Sequence, residues 1–451
     1  MRNLKESIVR ISGIDSAILF TVASRLVQGL GGIIAVYFIA KYLNINEQGY
    51  YYTFASILAL QVFFELGLST IITQYTSKYF SGLEIIDKKI VGDVIKLSYL
   101  SSILLLSIKW FCSAAVLLFF LLSFVGSCFF NSMQTDQVNW FYPWIMTCFS
   151  TSLILLSTPL ISFIAGLNKI EYTSKVTFYQ YLFQLVFMIV FFRFGFGLYA
   201  RPLSLIISII IVFLLLYKSV YFSMFFDLFK KKLNSYQISY KKDIFPYQWK
   251  ITVSWLSGYL IFQLFNPVIF AFDGSVAAGK MGMTLVMLTG IQTVAISWIS
   301  TKIPLFAQLA STKSFTALDG KFKGVFLQST ILCVVGLVSF IGFVLLLKQY
   351  NSSYLDKFLS LKNIIILSLG TSSNHIMSCL AIYLRSYLKE PLMKMSIVAG
   401  ILVATGSLLS GKLFGVDGVV LSYSLVMCFV CVPWTIFIYR KCKNEWQNIP
   451  L

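Results

Sequence analysis

Apolar runs of about 18–25 residues recur along this chain, and a run of about 20 is what an α-helix needs to cross a hydrocarbon core. Twelve such spans are read. They lie near 14–40, 51–72, 98–125, 143–167, 177–194 and 201–217 in the first half. In the second half they lie near 250–272, 281–301, 324–347, 363–384, 393–412 and 418–439. Composition points the same way: 58% of residues are hydrophobic and 12% charged, against about 25% charged in an average soluble domain. An all-α integral membrane fold is therefore expected. The longest connection is basic, carrying Lys230-Lys-Lys232 and Lys241-Lys242. It divides the chain into 1–217, a linker 218–249 and 250–451, six spans on each side. Repeated halves of this kind put a substrate path between them in transporters. The first span is too long for a secretory leader and lacks its small-residue cleavage site, so a retained helix is expected.

The formal net charge of +19 does not point to nucleic acid, because the basic residues lie in the connections rather than in one patch. Of the 36 Lys and Arg residues, 26 fall on the side that holds both termini and 8 on the other. The positive-inside rule makes both termini cytoplasmic. The eight cysteines fall in or beside apolar spans and give no disulfide framework. Cys428-Phe-Val-Cys431 has no second pair, and His375 is the chain's single histidine. Structural zinc needs four ligands, so no metal or cofactor is expected.

Charges inside the spans are costly and usually face a cavity or a partner. Counted at ~1.5 Å per residue, Arg25 and Lys109 lie ~16 Å from the cytoplasmic ends of their spans. His375 lies near the middle of its own, and Glu65 is ~10 Å deep. Gln28 shares a helix face with Arg25, and Gln61 with Glu65. A cluster of cations at one depth calls for anions. Arg suits phosphate oxygens because its planar fork donates two hydrogen bonds together. Arg25, Lys109, Gln28, Gln61 and Gln292 are thus candidate substrate contacts, with Gln180 a further hydrogen bonder. Glu65 and His375 are candidates for ion coupling, to H+ or Na+, or for ion pairing. Each has a structural alternative: Arg25 with Glu65 as an ion pair, Lys109 snorkelling, His375 as an interhelical hydrogen bonder. Tyr50-Tyr-Tyr52 and Trp140-Phe-Tyr142 are expected in interfacial aromatic belts. Thr158-Pro159 and Asn266-Pro267 are expected to mark kinks.

Two stretches carry a family resemblance. Glu47-Gln-Gly-Tyr-Tyr-Tyr-Thr-Phe54 with Leu60-Gln-Val-Phe-Phe-Glu-Leu-Gly-Leu68, and Gly279-Lys-Met-Gly-Met283 through Ser297-Trp-Ile-Ser-Thr-Lys-Ile-Pro304, resemble the polysaccharide-exporting branch of the multidrug/oligosaccharidyl-lipid/polysaccharide (MOP) superfamily. They are similar in particular to O-antigen (Wzx-type) flippases. The resemblance implies a MATE-like fold of two six-helix lobes around a central cavity. It implies alternating-access transfer of undecaprenyl-pyrophosphate-linked oligosaccharide from the cytoplasmic to the periplasmic leaflet of the bacterial inner membrane. It also implies a pyrophosphate-binding role for Arg25, and a polysaccharide polymerase and chain-length regulator as partners beside the lipid itself.

Two other functions compete. A multidrug exporter of the same fold binds organic cations, which favour buried carboxylates and aromatic faces, whereas the internal charges here are mainly basic. A membrane polymerase or glycosyltransferase is expected to carry clustered outer acids or a long periplasmic loop. Glu47, Asp136, Asp273, Asp356 and Asp417 are instead scattered. The expectation is a transporter and not an enzyme.

Overall fold

The computed structural model describes residues 16–65, 67–133, 138–230, 238–240, 244–387 and 389–447. Almost every element is a helix, and among the described residues nine runs are long and apolar enough to cross a membrane. Two of these are each two helices, because a glycine breaks them. Gly274 (φ 82°, ψ −177°) interrupts α10 (Phe265–Ser300), and Gly415 (φ 56°, ψ −140°) interrupts α14 (Met393–Leu425). Both conformations break the helix, and an L side chain resists the positive φ. Splitting those two runs and adding α1 (Ser16–Tyr42) gives the twelve spans read from the sequence. The chain is a multi-pass, all-α membrane protein.

The residues pack as two compact units. Of the described residues, one unit comprises those within 1–31, 58–134 and 139–255, and the other those within 32–57, 135–138 and 256–451. The divisions at 31/32 and 57/58 fall within the first two spans.

In the first unit α4 (Val94–Ser132) packs against α5 (Phe141–Gly166), and α6 (Ile170–Arg193) against α7 (Ala200–Tyr217). Leu100, Leu104, Phe111, Leu118 and Leu122 recur at helical spacing along α4 and are fully buried. Hydroxyls inside these helices satisfy themselves on the carbonyl one turn back, as Thr151 does on Thr147 O and Ser152 on Cys148 O. That solution is needed where no water reaches. Part of the basic connection is a helix, α8 (Val220–Lys230), whose Met224, Phe225 and Leu228 are buried. Ser101 Oγ on α4 donates to Leu228 O at 3.0 Å. Pro159 sits inside α5.

In the second unit the turn between α1 and α2 (Ile45–Leu58) is closed by a reciprocal capping pair. Glu47 N donates to Asn44 Oδ1 at 2.8 Å, and Asn44 N donates to Glu47 Oε2 at 2.9 Å. The carbonyls at the end of α1 are met by Gln48 Nε2, 2.9 Å from Leu43 O, and by Lys357 Nζ, which donates to Ala40 O. Helix α2 then lies directly on α10. A Cβ at Gly49 would collide with the backbone of Ser275, and one at Gly279 would lie 2.9 Å from Ile45 O. Gly282 is covered by the ring of Tyr52. The two sequence stretches that carry the family resemblance therefore touch, backbone against backbone. Small residues are what permits this approach in a membrane. After α10 a short helix, α11 (Ile303–Ser311), leads into the long α12 (Phe315–Gln349), which packs back on α10.

The aromatics of the α2–α10 contact differ from expectation. Tyr50, Tyr51 and Tyr52 are buried rather than forming a belt, because Tyr50 packs edge-on against Phe270 with ring centroids 4.9 Å apart and Tyr52 covers Gly282. Of the second expected belt, Trp140 is buried while Phe141 and Tyr142 are exposed. At the breaks within α10 and α14, Asp273 Oδ2 accepts from Val416 N at 2.6 Å. The Asp273 carboxylate fills the space a Cβ at Gly415 would need.

Gly49→Ala tests the helix contact. Overpacking a tight interface costs about 1–3 kcal/mol, and here the obstacle is backbone that cannot rotate away. The variant is expected to melt several degrees lower than the parent in detergent, and an unchanged melting temperature would contradict the contact.

Candidate functional site

The sequence-derived candidates divide between the two units. Arg25, Gln28, Gln61, Glu65 and Lys109 belong to the first, Gln292 and His375 to the second. The backbone of Arg25 is in α1, while its side chain lies outside the described residues. Gln28 is exposed, and its Nε2 donates to Tyr181 OH at 3.2 Å. Gln61 and Glu65 are half-buried where the second span breaks: a 3-10 turn (Ala59–Gln61) and a short helix (Val62–Glu65) precede Gly67, whose φ is 68°. The Glu65 carboxylate accepts from Ser69 Oγ on α3 (Leu68–Phe80).

Lys109 is exposed on α4. Its face is shared, at helical spacing, by Leu105, Cys112, Val116 and Phe120, all exposed as well. Its neighbour Trp110 turns inward and donates Nε1–H to Phe64 O at 3.1 Å. Depth from the sequence set the height of Lys109; the packing of the rest of α4 sets its direction.

His375 is 1% exposed on α13 (Leu361–Arg385). Ser329 Oγ, on α12, lies 3.3 Å from its Nε2 and 2.7 Å from Ala295 O. A hydroxyl has one proton to donate. With that proton on the Ala295 carbonyl, Ser329 Oγ is free to accept, and Cys379 Sγ lies 3.5 Å from the same Nε2. Among the described residues Nδ1 has no hydrogen-bond partner.

Gln292 leads to a feature the charges do not reveal. It lines a cavity of about 530 Å³ formed wholly by residues of the second unit. One wall is a stripe of α10, where Val286, Thr289, Gln292, Thr293 and Ile296 recur at helical spacing. A second is a face of α13, with Thr371, Asn374 and Ser378 at i, i+3 and i+7. Tyr52, Ala55 and Ser56 of α2 contribute, held in place by the glycine contact. The last wall comes from a discontinuity. Helix α9 (Phe245–Phe262) ends, two residues turn, and α10 restarts at Phe265 with Pro267 in its first turn, where a missing N–H costs little.

Gln263 and Asn266 flank that break and line the cavity. Asn266 Nδ2 donates to Ser56 Oγ at 3.2 Å, and its buried Oδ1 has no partner among the described residues. No Asp, Glu, Lys, Arg or His is among the described residues lining the cavity. Of its polar residues, sequence reasoning had found Gln292 alone. The Thr371-x-x-Asn374-x-x-x-Ser378 periodicity was the available signal for the rest. Beside Asn374, Ser373 Oγ sits 3.1 Å from Cys428 Sγ, which lies in a π-helical turn, Val426–Cys431, at the end of α14.

The fold is shared with solved MATE and MurJ transporters. Neither a protein-family model nor a curated protein sequence matches the chain. Solved structures do. The MATE multidrug transporter DinF-BH, solved as a complex, aligns over 96% of each chain at 13% identity, with a TM-score of 0.64. An inward-facing multidrug resistance MATE family transporter of the MOP superfamily aligns over 97% of this chain and 98% of its own, at 13% identity and a TM-score of 0.61. The lipid II flippase MurJ in its inward closed conformation aligns over 95% and 90% at 15% identity, with a TM-score of 0.57.

Adjacent positions on α10 test whether the cavity is wet. Thiolates react with charged methanethiosulfonates where water reaches them. With Cys112, Cys128 and Cys428 replaced by Ala, Thr289→Cys is expected to label and Leu288→Cys, at a fully buried position, to resist. Equal labelling of both would contradict the assignment of faces.

Proposed function

We propose that this chain is a flippase that carries undecaprenyl-pyrophosphate-linked oligosaccharide, an O-antigen or related repeat unit, from the cytoplasmic to the periplasmic leaflet by alternating access. The observation that carries the reading is the chemistry of the membrane-embedded polar groups. The polar residues among those described as lining the cavity are amides and hydroxyls, set among aromatic and aliphatic side chains and without a carboxylate, and the charges read within the spans are mainly basic. A pyrophosphate headgroup is anionic and its sugars are hydrogen-bonding and neutral, so these two kinds of group suit its two parts. The prenyl tail needs neither and stays in lipid. The fold supports the reading, since one solved structure sharing it is a lipid II flippase.

Arg25, with Lys109, is assigned to the pyrophosphate. Gln28, Gln61 and Gln292 are assigned to hydrogen bonding along the path. Coupling to H+ or Na+ is assigned to Glu65 and His375. The Lys and Arg asymmetry supports cytoplasmic termini, and the proposed role belongs in a bacterial inner membrane. A polysaccharide polymerase and a chain-length regulator are the partners this role calls for. Two of the fold's solved structures are multidrug transporters, which makes export of organic cations the second reading. The cavity's lack of carboxylates among its described lining residues weighs against it.

Depleting the protein is expected to leave complete lipid-linked repeat units on the cytoplasmic side. Outer-leaflet units that fail to polymerise would point to a polymerase. Unchanged glycolipid with raised drug sensitivity would favour the multidrug reading. Arg25→Ala is expected to abolish export while the protein still inserts, and Arg25→Lys to keep part of it, because a point charge replaces the fork. Normal surface polysaccharide in a well-expressed Arg25→Ala strain would remove Arg25 from the mechanism. In sealed vesicles, flipping is expected to respond to a pH gradient or membrane potential, and Glu65→Gln to lose that response. Flipping indifferent to both gradients would exclude the coupling role.

A further inference from the structure

We infer that the cavity of the second unit is a glycan-reading chamber: it takes uncharged sugar rings of the cargo and has no part in holding the phosphates. The inference deepens the flippase reading and rests on it.

The lining decides among ligand classes. A phosphate or carboxylate taken out of water calls for cationic partners, and no Lys, Arg or His is among the described residues lining the space. An organic cation taken out of water is best offset by a carboxylate, and none is among the described residues lining the space. A prenyl chain needs an apolar channel. This wall sets Asn266, Thr289, Gln292, Thr371, Asn374 and Ser378 among apolar neighbours such as Leu285, Val286 and Ile296, so a hydrocarbon chain here would cover hydrogen-bonding groups it cannot satisfy.

Each amide offers both a donor and an acceptor, and each hydroxyl can do either. A sugar hydroxyl has the same dual character, so a ring bearing several hydroxyls pairs with such a wall in a way that a one-sign ligand cannot. Asn266 strengthens the case. It is only 6% exposed, it lines the cavity, and its Oδ1 is an acceptor without a partner among the described residues. Buried acceptors are normally satisfied, by water or by a ligand. Phe262, exposed and on the same wall, supplies apolar ring surface, which suits the C–H faces of a pyranose. At about 530 Å³ the space falls within the range of about 300–1,000 Å³ that small-molecule pockets occupy, which is room for a few sugar rings and not for a whole lipid-linked unit.

The test uses the full chain in lipid nanodiscs with two probes: lipid-linked oligosaccharide purified from cells that make the protein, and sugar-free undecaprenyl pyrophosphate. The parent is expected to bind the glycosylated lipid at least ~tenfold more tightly, the equivalent of one or two neutral hydrogen bonds. Asn374→Leu and Gln292→Leu are expected to bring its affinity down to that of the sugar-free lipid. Thr289→Val, isosteric and at an exposed position that places little demand on folding, is expected to narrow the gap by a smaller factor. Parent protein that binds both lipids equally, or variants that keep the full gap, would overturn the chamber and leave the flippase reading standing. Parent protein that binds neither lipid would overturn the flippase reading and the chamber with it. Stabilisation by sodium ions without lipid, lost in Asn374→Leu while both lipids bind normally, would assign the space to an alkali cation instead and overturn the sugar assignment.

Discussion

The second unit depends on a backbone-to-backbone contact. Gly49 and Gly279 let α2 and α10 approach until main chain meets main chain, and Gly282 admits the ring of Tyr52. Between helices in lipid there is little hydrophobic force, so close packing and hydrogen bonds must hold them. Once the approach is made, other groups fall into reach. Asn266 Nδ2 bonds Ser56 Oγ, and Ser275 Oγ donates to Asn46 Oδ1 at 3.2 Å. Ser56 and Tyr52 then stand on the cavity wall with α13. A side chain at position 49 would not merely loosen an interface; it would move one wall of the chamber.

The same economy governs the polar groups. The bilayer forbids unsatisfied backbone, so each interruption of a helix must be closed by something local. Asn44 and Glu47 close the turn after α1 on each other, with Gln48 and Lys357 serving the freed carbonyls. Asp273 serves the break at Gly415 by accepting from Val416 N. Gln48 Oε1 at the turn and Asn266 Oδ1 at the break before Phe265 are both left without a partner among the described residues, but only Asn266 lines the cavity. Breaks that are fully closed read as architecture. A break that leaves a polar atom beside a cavity reads as function.

Much of this was legible in the sequence, and the parts that were not share a reason. Twelve spans follow from hydropathy because the bilayer sets a length that composition must meet. The Glu47–Phe54 and Gly279–Met283 stretches pointed to the fold, yet nothing in either says that they touch. Position along a helix gives depth, so the central placement of His375 could be read; direction around the helix depends on every neighbour, so Lys109's companions Leu105, Val116 and Phe120 could not. The polar stripe Thr371, Asn374, Ser378 was present as periodicity but is quiet beside buried charges, which draw attention because they cost more. Asp273 and Val416 are 143 positions apart, and no local pattern joins them.

The π-helical turn at Val426–Cys431 bears on how this chain can be aligned with others. Such a turn holds one more residue than an α-helical turn, as if a single amino acid had been inserted where Ser373 meets Cys428. Residues before it, Tyr423 among them, and residues after it therefore follow two different phases of the helical repeat. A gap-free alignment with a straight-helix relative keeps the correct face on one side of Cys428 and rotates it by about 100° on the other. Ancestry traced through this span will be out of phase unless a one-residue gap is allowed there, and position-by-position identity will understate the kinship of the two helices.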